Sequence, residues 1–337
     1  MNHLTCLRTS SMIVTAVILL LYAKSMLSPP DCLLVDEPVF SPIENYQCAR
    51  GDKISVKECF QPDNMHHHEP ECLIATENDA EWTGLPFIED FSYSIEPSCD
   101  DYNNRFLIIY IYTQVYHFKH RQNIRQKYRD FLGDKLCSQV KVLFVVGETE
   151  KLWNDKCNKY EQYLEEEAQI YKDILRINIL DSYYNLSYKG FGAIYWISKK
   201  CKLNAPFVLK MDDDYTHKLD KLYNTLQTLD CRFKEYQLCK TVRHDEVVRA
   251  IWNKFGIPHK EFQAENYPYA CGGHVVLMTT SAAENMYDVA KLGNLPIFRI
   301  DGVYFGALLR RKSCLRLAQL NESESNYEII YDKWTEW

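Results

Sequence analysis

Three consecutive aspartates, Asp212, Asp213 and Asp214, follow directly on the apolar run of residues 207–211. The run predicts a short buried strand, so the three carboxylates should emerge together at its carboxyl end, where open α/β sheets bind ligands. Two like charges about 4 Å apart repel by about 4 kcal/mol at an effective dielectric of 20. A hard divalent cation such as Mg²⁺ or Mn²⁺ would offset that repulsion. The alternative is a solvated acidic turn that caps the next helix.

Two arginines form a second candidate group. Arg121 and Arg125 lie four residues apart in a basic helix predicted at residues 118–131, so they share one face of that helix. The helix follows the first predicted strand and should begin near the ligand edge of the sheet, where two guanidinium groups can clamp a diphosphate or a carboxylate. The alternative is a solvated basic face that pairs with acidic neighbours.

Two further segments lie at the ends of predicted strands. Asp181 and Asn185 follow the strand predicted at residues 174–180, where they can cap the next helix or line a pocket. Gly272 and Gly273 precede another predicted strand, where glycine allows the backbone to approach a ligand closely, although a plain turn is as reasonable. Each segment therefore adds candidate residues to the same ligand edge.

The elements that would position these residues alternate between strands and helices from residue 106 onward. Such alternation predicts an α/β domain with a mainly parallel sheet and helices on both faces. The predicted strands cover residues 106–113, 141–146, 174–180, 207–211 and 274–279, and the predicted helices cover residues 118–131, 150–171, 186–200, 218–229, 282–292 and 303–311.

The first hundred residues differ from this pattern. Residues 9–23 form an uncharged, mainly apolar run whose length fits a signal peptide, but no small-x-small cleavage site follows it. We therefore favour an uncleaved signal anchor, with residues 1–8 as a cytoplasmic tail. Residues 24–105 are rich in proline and cysteine and predict an irregular, disulfide-tied lumenal stem or cap. Histidines 66–68 could bind zinc, but adjacent residues rarely converge on one ion and a solvated loop is favoured.

Cysteine, sequon and charge patterns agree with a secretory protein. Twelve of the 13 cysteines follow the apolar run and none has C-x-x-C spacing, which indicates disulfides in an oxidising compartment rather than a zinc ribbon. Asn185 and Asn321 each begin an N-glycosylation sequon. The formal net charge is −7, the pI is near 5.8 and no basic stripe stands out, so we expect no nucleic-acid partner.

In order along the chain, five segments resemble the sequence blocks of the β-1,3-galactosyltransferase and N-acetylglucosaminyltransferase family (glycosyltransferase family 31). The block R-x-x-I-R-x-T-W is matched at residues 121–128 with tyrosine in place of tryptophan, and D-x-x-D-S-Y-x-N-L-T-x-K at residues 178–189 with asparagine in place of the first aspartate. K-T-D-D-D is matched at residues 210–214, Y-P-x-Y-x-x-G-G at residues 267–273 with one residue missing, and E-D-V-Y-x-G at residues 301–306. Five blocks in order make a specific match, where any one alone would be weak.

The resemblance implies a GT-A fold over residues 106–337 and a type II anchor in the Golgi membrane. It implies transfer of galactose, GlcNAc or GalNAc from a UDP-sugar to a glycan on protein or lipid, in β-1,3 linkage and with inversion. It also implies a Mn²⁺ ion at the acidic triplet, with Asp214 as the best ligand and Asp212 beside it, while Asp212 and Asp213 would contact the ribose, the sugar or metal-bound water. The other residues that it places at the UDP-sugar are Arg121, Arg125, Asp181, Lys210, Gly272 and Gly273.

One position departs from the family pattern. The family's catalytic base, the aspartate of E-D-V-Y, corresponds to Gly302, and Asp301 stands one residue earlier. One residue of helix rotates a side chain by about 100°, so Asp301 replaces the base only if Gly302 lets the backbone re-aim it. We take Asp301 as the candidate base. The alternatives are a catalytically silent relative that binds nucleotide sugar or glycan, and a disulfide-rich structural or secreted protein whose triplet is plain surface.

Overall fold

The computed structural model describes residues 82–149, 155–214, 222–223, 226, 236–239, 242–321 and 326–330. The predicted cytoplasmic tail and signal anchor lie outside these ranges, as do most of the predicted stem and of the helix predicted at residues 218–229. Among the helices in the described ranges, none is long and apolar enough to span a bilayer.

The described residues contain eleven strands, nine of them in one mixed sheet. The strands are β1 Tyr93–Ile95, β2 Leu107–Tyr112, β3 Val140–Glu148, β4 Ile174–Leu180, β5 Phe207–Asp212, β6 Tyr236–Cys239, β7 Val242–Arg243, β8 Ala270–Cys271, β9 Val275–Thr279, β10 Arg316–Asn321 and β11 Asn326–Ile330. The large sheet has the order β1-β4-β3-β2-β5-β9-β6-β10-β11, and β7 pairs with β8 in a separate ribbon.

The centre of the sheet is parallel and its flanks are mixed. Strands β4, β3, β2 and β5 run parallel, as do β6 and β10. Strand β9 runs antiparallel to both of its neighbours, and β1 and β11 are antiparallel edge strands. The predicted parallel sheet is therefore confirmed for its centre, whereas the direction of β9 and the strands β1, β6, β10 and β11 were not predicted.

Helices cover both faces of the sheet, as predicted. They are α1 Phe118–Cys137, α2 Asp155–Tyr171, α3 Leu186–Tyr195 with a π-helical extension Trp196–Lys200, α4 Thr280–Leu292, and α5, which joins Asp301–Val303, a π-helical turn Tyr304–Leu308 and Leu309–Lys312.

Strand β2 shows how the two faces are packed. All six of its residues are buried, and successive side chains of a strand point to opposite faces. Ile108 and Tyr110 belong to the apolar cluster that includes α3 and α4, whereas Ile109 and Ile111 belong to the cluster that includes α1 and α2. Because both faces are covered in this way, the carboxyl ends of the central strands remain as the edge where a ligand can enter.

Residues 82–105, which the sequence pattern placed in the stem, pack as part of this domain. Strand β1 pairs with β4, and Trp82 and Phe91 are buried in the cluster on the α3 and α4 side. A disulfide between Cys99 and Cys201 joins the segment to the end of the α3 extension. The domain therefore begins earlier than predicted, because a three-residue strand and scattered apolar residues show no periodicity that identifies them in the sequence.

Candidate active site

A cleft of about 630 Å³ opens at the carboxyl ends of β2, β4 and β5. Its opposite wall comes from the segments around the β7–β8 ribbon and from the start of α5. Six of the residues that line it were predicted as site residues, together with Asp301: Asp181, Asp212, Asp213, Asp214, Gly272 and Gly273. The acidic triplet is thus part of a concave site and is not a solvated surface turn.

The three aspartates of the triplet have different surroundings. Asp212 accepts a hydrogen bond from Lys210 Nζ at 2.8 Å, and its other oxygen lies 3.2 Å from His274 Nδ1. Asp214 is exposed in the cleft and has no hydrogen bond or ion pair to any described residue. Asp214 can therefore bind a cation that enters the cleft without first losing an internal partner.

Asp213 is held by the end of β2 and by the start of α1. Its Oδ2 accepts a hydrogen bond from the Thr113 hydroxyl at 2.6 Å and lies 2.6 Å from His117 Nδ1. Burial alone would raise the pKa of Asp213, but the hydrogen bonds from His117 and Thr113 lower it below its ordinary value. Asp213 is therefore a charged, anchored group that fixes the wall of the cleft.

Lys210 lies on β5 beneath the triplet and connects two carboxylates. Its Nζ donates to Asp212, lies 3.2 Å from Asp301 Oδ2 and also donates to the Gly273 carbonyl. Burial alone would lower the pKa of Lys210, but the negative charges of Asp301 and Asp212 raise it above its ordinary value. Lys210 was predicted to contact the UDP-sugar, yet its side chain is only 6% exposed and does not line the cleft. Its role is to hold the two carboxylates in place.

Asp301 begins helix α5 and its side chain reaches the cleft. The carboxylate is 14% exposed and shares Lys210 with Asp212, so it stands at the same end of β5 as the triplet. The sequence left open whether Asp301, one position before the family's base, could face the site. The structure places the Asp301 side chain at the cleft.

Gly302 and Gly273 bring the start of α5 against the cleft. A Cβ atom built on Gly302 would lie 3.1 Å from the Gly273 Cα, and one on Gly273 would lie 3.3 Å from the Gly302 Cα. Both distances are shorter than ordinary van der Waals contact. Gly273 was predicted to allow a close approach of backbone to a ligand. In the structure it also allows the backbone at the start of α5 to approach closely.

Asp181 directly follows β4 and lines the cleft, but both of its oxygens have internal partners. Oδ1 accepts from Lys189 Nζ at 2.7 Å, and Oδ2 accepts from the Gly147 amide at 3.1 Å. Lys189 also donates to the Thr113 carbonyl at 3.0 Å. Asp181 thus ties β3, α3 and the end of β2 into one edge of the cleft, and a nucleotide contact would compete with these bonds.

Arg121 and Arg125 do not line the cleft, contrary to the prediction. Both are buried. Arg121 and Arg125 each pair with Glu167 at 2.6 Å, and Arg125 also pairs with Asp173 at 2.7 Å. Arg121 donates in addition to two backbone carbonyls of the segment after β2. The guanidinium groups are occupied by acidic partners on and after α2, so they do not clamp a diphosphate. They connect α1 and the segment after β2 to α2.

The structure adds cleft residues that sequence reasoning missed. The rings of Tyr183 and Phe255 meet at 5.9 Å between centroids, and Lys254 Nζ lies 5.3 Å and 4.8 Å from their respective centroids. Asp245 and Glu246 line the same wall. No sequence motif connects Phe255 with the triplet.

The two sequon asparagines differ in position. Asn185 is half-buried beside the cleft, and its side-chain amide donates to the Leu180 carbonyl at 2.9 Å. Asn321 ends strand β10. N-glycosylation at each stays a prediction.

The donors at the cleft fit a divalent cation. Asp214 and Asp212 present carboxylate oxygens to the cleft, and His274 lies next to Asp212. Carboxylate oxygens suit Mn²⁺ and Mg²⁺. The Asp214 carboxylate, which has no partner among the described residues and follows the same strand as Asp212, is the feature that best matches such an ion.

Several known proteins are similar to this chain. A family model described as galactosyltransferase matches residues 119–316, well over half of the 337 residues. The chain is 33% identical over 171 residues to human N-acetyllactosaminide beta-1,3-N-acetylglucosaminyltransferase 3, covering 51% of this chain and 44% of that protein. It is 28% identical over 220 residues to mouse beta-1,3-galactosyltransferase 1, covering 64% and 63%.

One solved structure, that of the mannosyltransferase Ktr4p from S. cerevisiae, resembles 73% of this chain over 73% of its own length. The TM-score is 0.35 and the sequence identity 8%, values too low to assign a fold.

The matched segment spans 44% and 63% of the two curated relatives. The family resemblance carried by the five sequence blocks is confirmed by the family model, and the chain belongs to the galactosyltransferase family.

Proposed function

We propose that the chain is a hexosyltransferase of GT-A fold that transfers galactose, GlcNAc or GalNAc from a UDP-sugar to a glycan on protein or lipid, in β-1,3 linkage. The observation that supports this most strongly is that the acidic triplet and Asp301 line one cleft in a chain of the galactosyltransferase family. The relatives named above carry β-1,3-galactosyltransferase and β-1,3-N-acetylglucosaminyltransferase names, which supports the linkage and the choice of donors.

Asp214 and Asp212 are the residues that would hold a Mn²⁺ ion. Such an ion supplies positive charge that stabilises the leaving diphosphate. Lys254 and Arg243 line the cleft, whereas the buried arginine pair does not. Neither Lys254 nor Arg243 forms an ion pair with a described residue, so both are available to an anionic donor.

Asp301 is the proposed general base. In an inverting transfer the acceptor hydroxyl oxygen bonds to the anomeric carbon, the bond from that carbon to the diphosphate oxygen breaks, and the hydroxyl proton passes to a carboxylate. Lys210 fixes Oδ2 of Asp301, which leaves Oδ1 for the proton. Because Lys210 also fixes Asp212, it keeps the base at a set place relative to the triplet.

The rings of Tyr183 and Phe255 form the proposed acceptor side. Aromatic rings offer apolar faces on which sugar rings can stack, and both rings line the cleft together with the triplet. A glycan held there would present its hydroxyl toward Asp301.

Sugar transfer is tested by incubating the full chain with UDP-galactose, UDP-GlcNAc or UDP-GalNAc, Mn²⁺ and a panel of glycan acceptors, with products followed by mass spectrometry. We expect one donor to give a product whose new linkage is β-1,3 by glycosidase digestion and NMR. No product from any donor, with a chain that shows a cooperative thermal transition, would contradict the proposed activity.

Asp214→Ala is expected to weaken Mn²⁺-dependent UDP binding by at least tenfold while the thermal melt stays unchanged. The reason is that Asp214 is exposed and bonds to no described residue, so its removal costs the fold little, while loss of even an outer-shell group around a metal costs about 10–100-fold in affinity. Calorimetry with UDP and Mn²⁺ measures the change. Asp130→Ala, which removes an exposed aspartate on α1, is the control, and equal UDP affinity in both variants would remove Asp214 from the site.

Phe255→Ala is expected to raise the acceptor KM by about three- to tenfold without changing the donor KM, since an aromatic contact contributes about 0.5–1.5 kcal/mol. Initial rates at varied acceptor concentration give the value. Phe131→Ala is the matched control, because Phe131 is also a partly exposed phenylalanine, on α1, and does not line the cleft. If both variants behave alike, Phe255 does not contact the acceptor.

A catalytically silent relative is the second candidate function, and Gly302 at the position of the family's base favours it. Gly302→Asp distinguishes the two, with Gly302→Ala as the control for the 3.1 Å approach of a new Cβ to Gly273. We expect both variants to lose activity through that crowding. A large gain in transfer with Gly302→Asp alone would show that the wild-type chain lacks a working base.

We further propose a lumenal Golgi location with a type II anchor at residues 9–23. Disulfides between Cys99 and Cys201 and between Cys239 and Cys271 support an oxidising compartment, where such bonds persist. Protease treatment of sealed microsomes would remove an epitope tag at the amino terminus and spare one at the carboxyl terminus. The reverse pattern would contradict this topology.

A further inference from the structure

A second group of metal-ligand side chains lies beside the triplet. His117 immediately precedes helix α1 and His120 lies in its first turn, so that both imidazoles reach Asp213. One ligand atom from each of the three residues lies within 4.8 Å of the other two. The two imidazole rings are 4.6 Å apart between centroids.

The distances are close to those of a metal site. His117 Nδ1 lies 2.6 Å from Asp213 Oδ2, and His120 Nδ1 lies 3.7 Å from Asp213 Oδ1. In a tetrahedral site with bonds of about 2.1 Å, neighbouring ligand atoms are about 3.4 Å apart. To bind one ion, the His117 and Asp213 atoms would move apart and the His120 and Asp213 atoms would move together, each pair by less than about 1 Å. His120 is nearly half exposed, so its ring has room to make that adjustment.

Neighbouring groups already orient these ligands. The Thr113 hydroxyl donates to Asp213 Oδ2 at 2.6 Å, and the Tyr116 ring packs edge-on against the His117 imidazole with centroids 4.8 Å apart. A hydrogen bond to a ligating group, such as that from Thr113, fixes the direction of the group and is a regular part of metal sites. Thr113 and Tyr116 therefore hold Asp213 and His117 in place, while the side of the cluster at His120 is open to solvent.

We propose that His117, His120 and Asp213 bind one zinc-type divalent transition-metal ion. Two imidazoles and one carboxylate suit Zn²⁺ or Co²⁺ better than Mg²⁺ or Ca²⁺, which favour oxygen shells. Three protein ligands leave a fourth position open, and since His117 lines the cleft, the ion lies at the cleft wall. The site shares no ligand with the Asp214 and Asp212 pair, so it does not depend on the proposed function.

The test uses Co²⁺ as a visible probe with the full chain. Histidines 66–68 are replaced by alanine in the parent protein, so that this run cannot contribute to the signal. We expect the parent to bind Co²⁺ at this cluster with visible d–d bands, from which the Co²⁺ affinity is measured, and to release it to Zn²⁺. His120→Ala is expected to weaken Co²⁺ binding more than about 100-fold, beyond what loss of an outer-shell partner costs.

Three further variants show whether the Co²⁺ ion binds at this cluster or elsewhere on the chain. His259→Ala removes another exposed histidine and should leave the Co²⁺ affinity unchanged, as should Asp214→Ala, which belongs to the Mn²⁺ proposal alone. His120→Gln should repeat the loss seen with His120→Ala, so the outcome does not depend on the folding of one variant. Co²⁺ titrations of the parent and of the His120 variants that coincide would overturn the proposal, whatever the chain does with UDP-sugars.

Discussion

Asp301→Asn is expected to lower kcat for sugar transfer by about 10²–10⁴-fold, the range that a positioned general base contributes. The substitution keeps the size and the hydrogen-bonding shape of the side chain but removes its ability to take the acceptor proton. Lys210 keeps Asp212 as a charged partner, so the end of β5 should stay intact. UDP binding in the presence of Mn²⁺ should therefore change little, and steady-state kinetics with calorimetry separates the two effects.

Asp245→Asn is the matched control for the base. Asp245 is another carboxylate that lines the cleft, but it is exposed on the wall formed after β7 and has no link to Lys210. We expect its kcat to stay within a few-fold of wild type. A large loss with Asp245→Asn and a small one with Asp301→Asn would reassign the base to Asp245.

Glu167→Ala is expected to destabilise the fold by about 3–5 kcal/mol, the cost of removing one partner of a buried ion pair. Glu167 is fully buried and pairs with both Arg121 and Arg125. Arg125 keeps Asp173, but Arg121 is left as a buried cation without a carboxylate. For a domain of this size the melting temperature should fall by roughly 6–20 °C, as measured by calorimetry or circular dichroism.

Glu166→Ala controls for helix propensity and charge, because it removes the neighbouring, exposed glutamate of the same helix. Its melting temperature should stay near that of wild type. Equal, small shifts in both variants would mean that the buried arginine pair does not stabilise this part of the sheet edge.

The position of the acidic triplet could be predicted from the sequence because it depends on local pattern. An apolar run followed by polar residues predicts a buried strand and its end, and strand β4 was predicted with the observed bounds, Ile174–Leu180. Parallel strands bring their carboxyl ends together, so Asp181 and the triplet were expected at one edge. Both line the cleft in the structure.

The partners of buried charges could not be predicted in the same way. The spacing of Arg121 and Arg125 shows that they share a helix face, but it does not show what covers that face. Their partner Glu167 stands among several glutamates on α2, and which of them turns inward depends on how α2 packs. Lys210 is similar, because a lysine within an apolar strand implies a buried partner without naming it.

The most direct test of the donor site is a crystal of the chain grown with UDP and Mn²⁺, measured at a wavelength where manganese scatters anomalously. We expect one strong anomalous peak in the cleft beside the Asp214 carboxylate, with the diphosphate bound to it and Asp301 within reach of the anomeric position. A manganese peak outside the cleft, or UDP bound at another surface, would contradict the assignment of this cleft as the donor site.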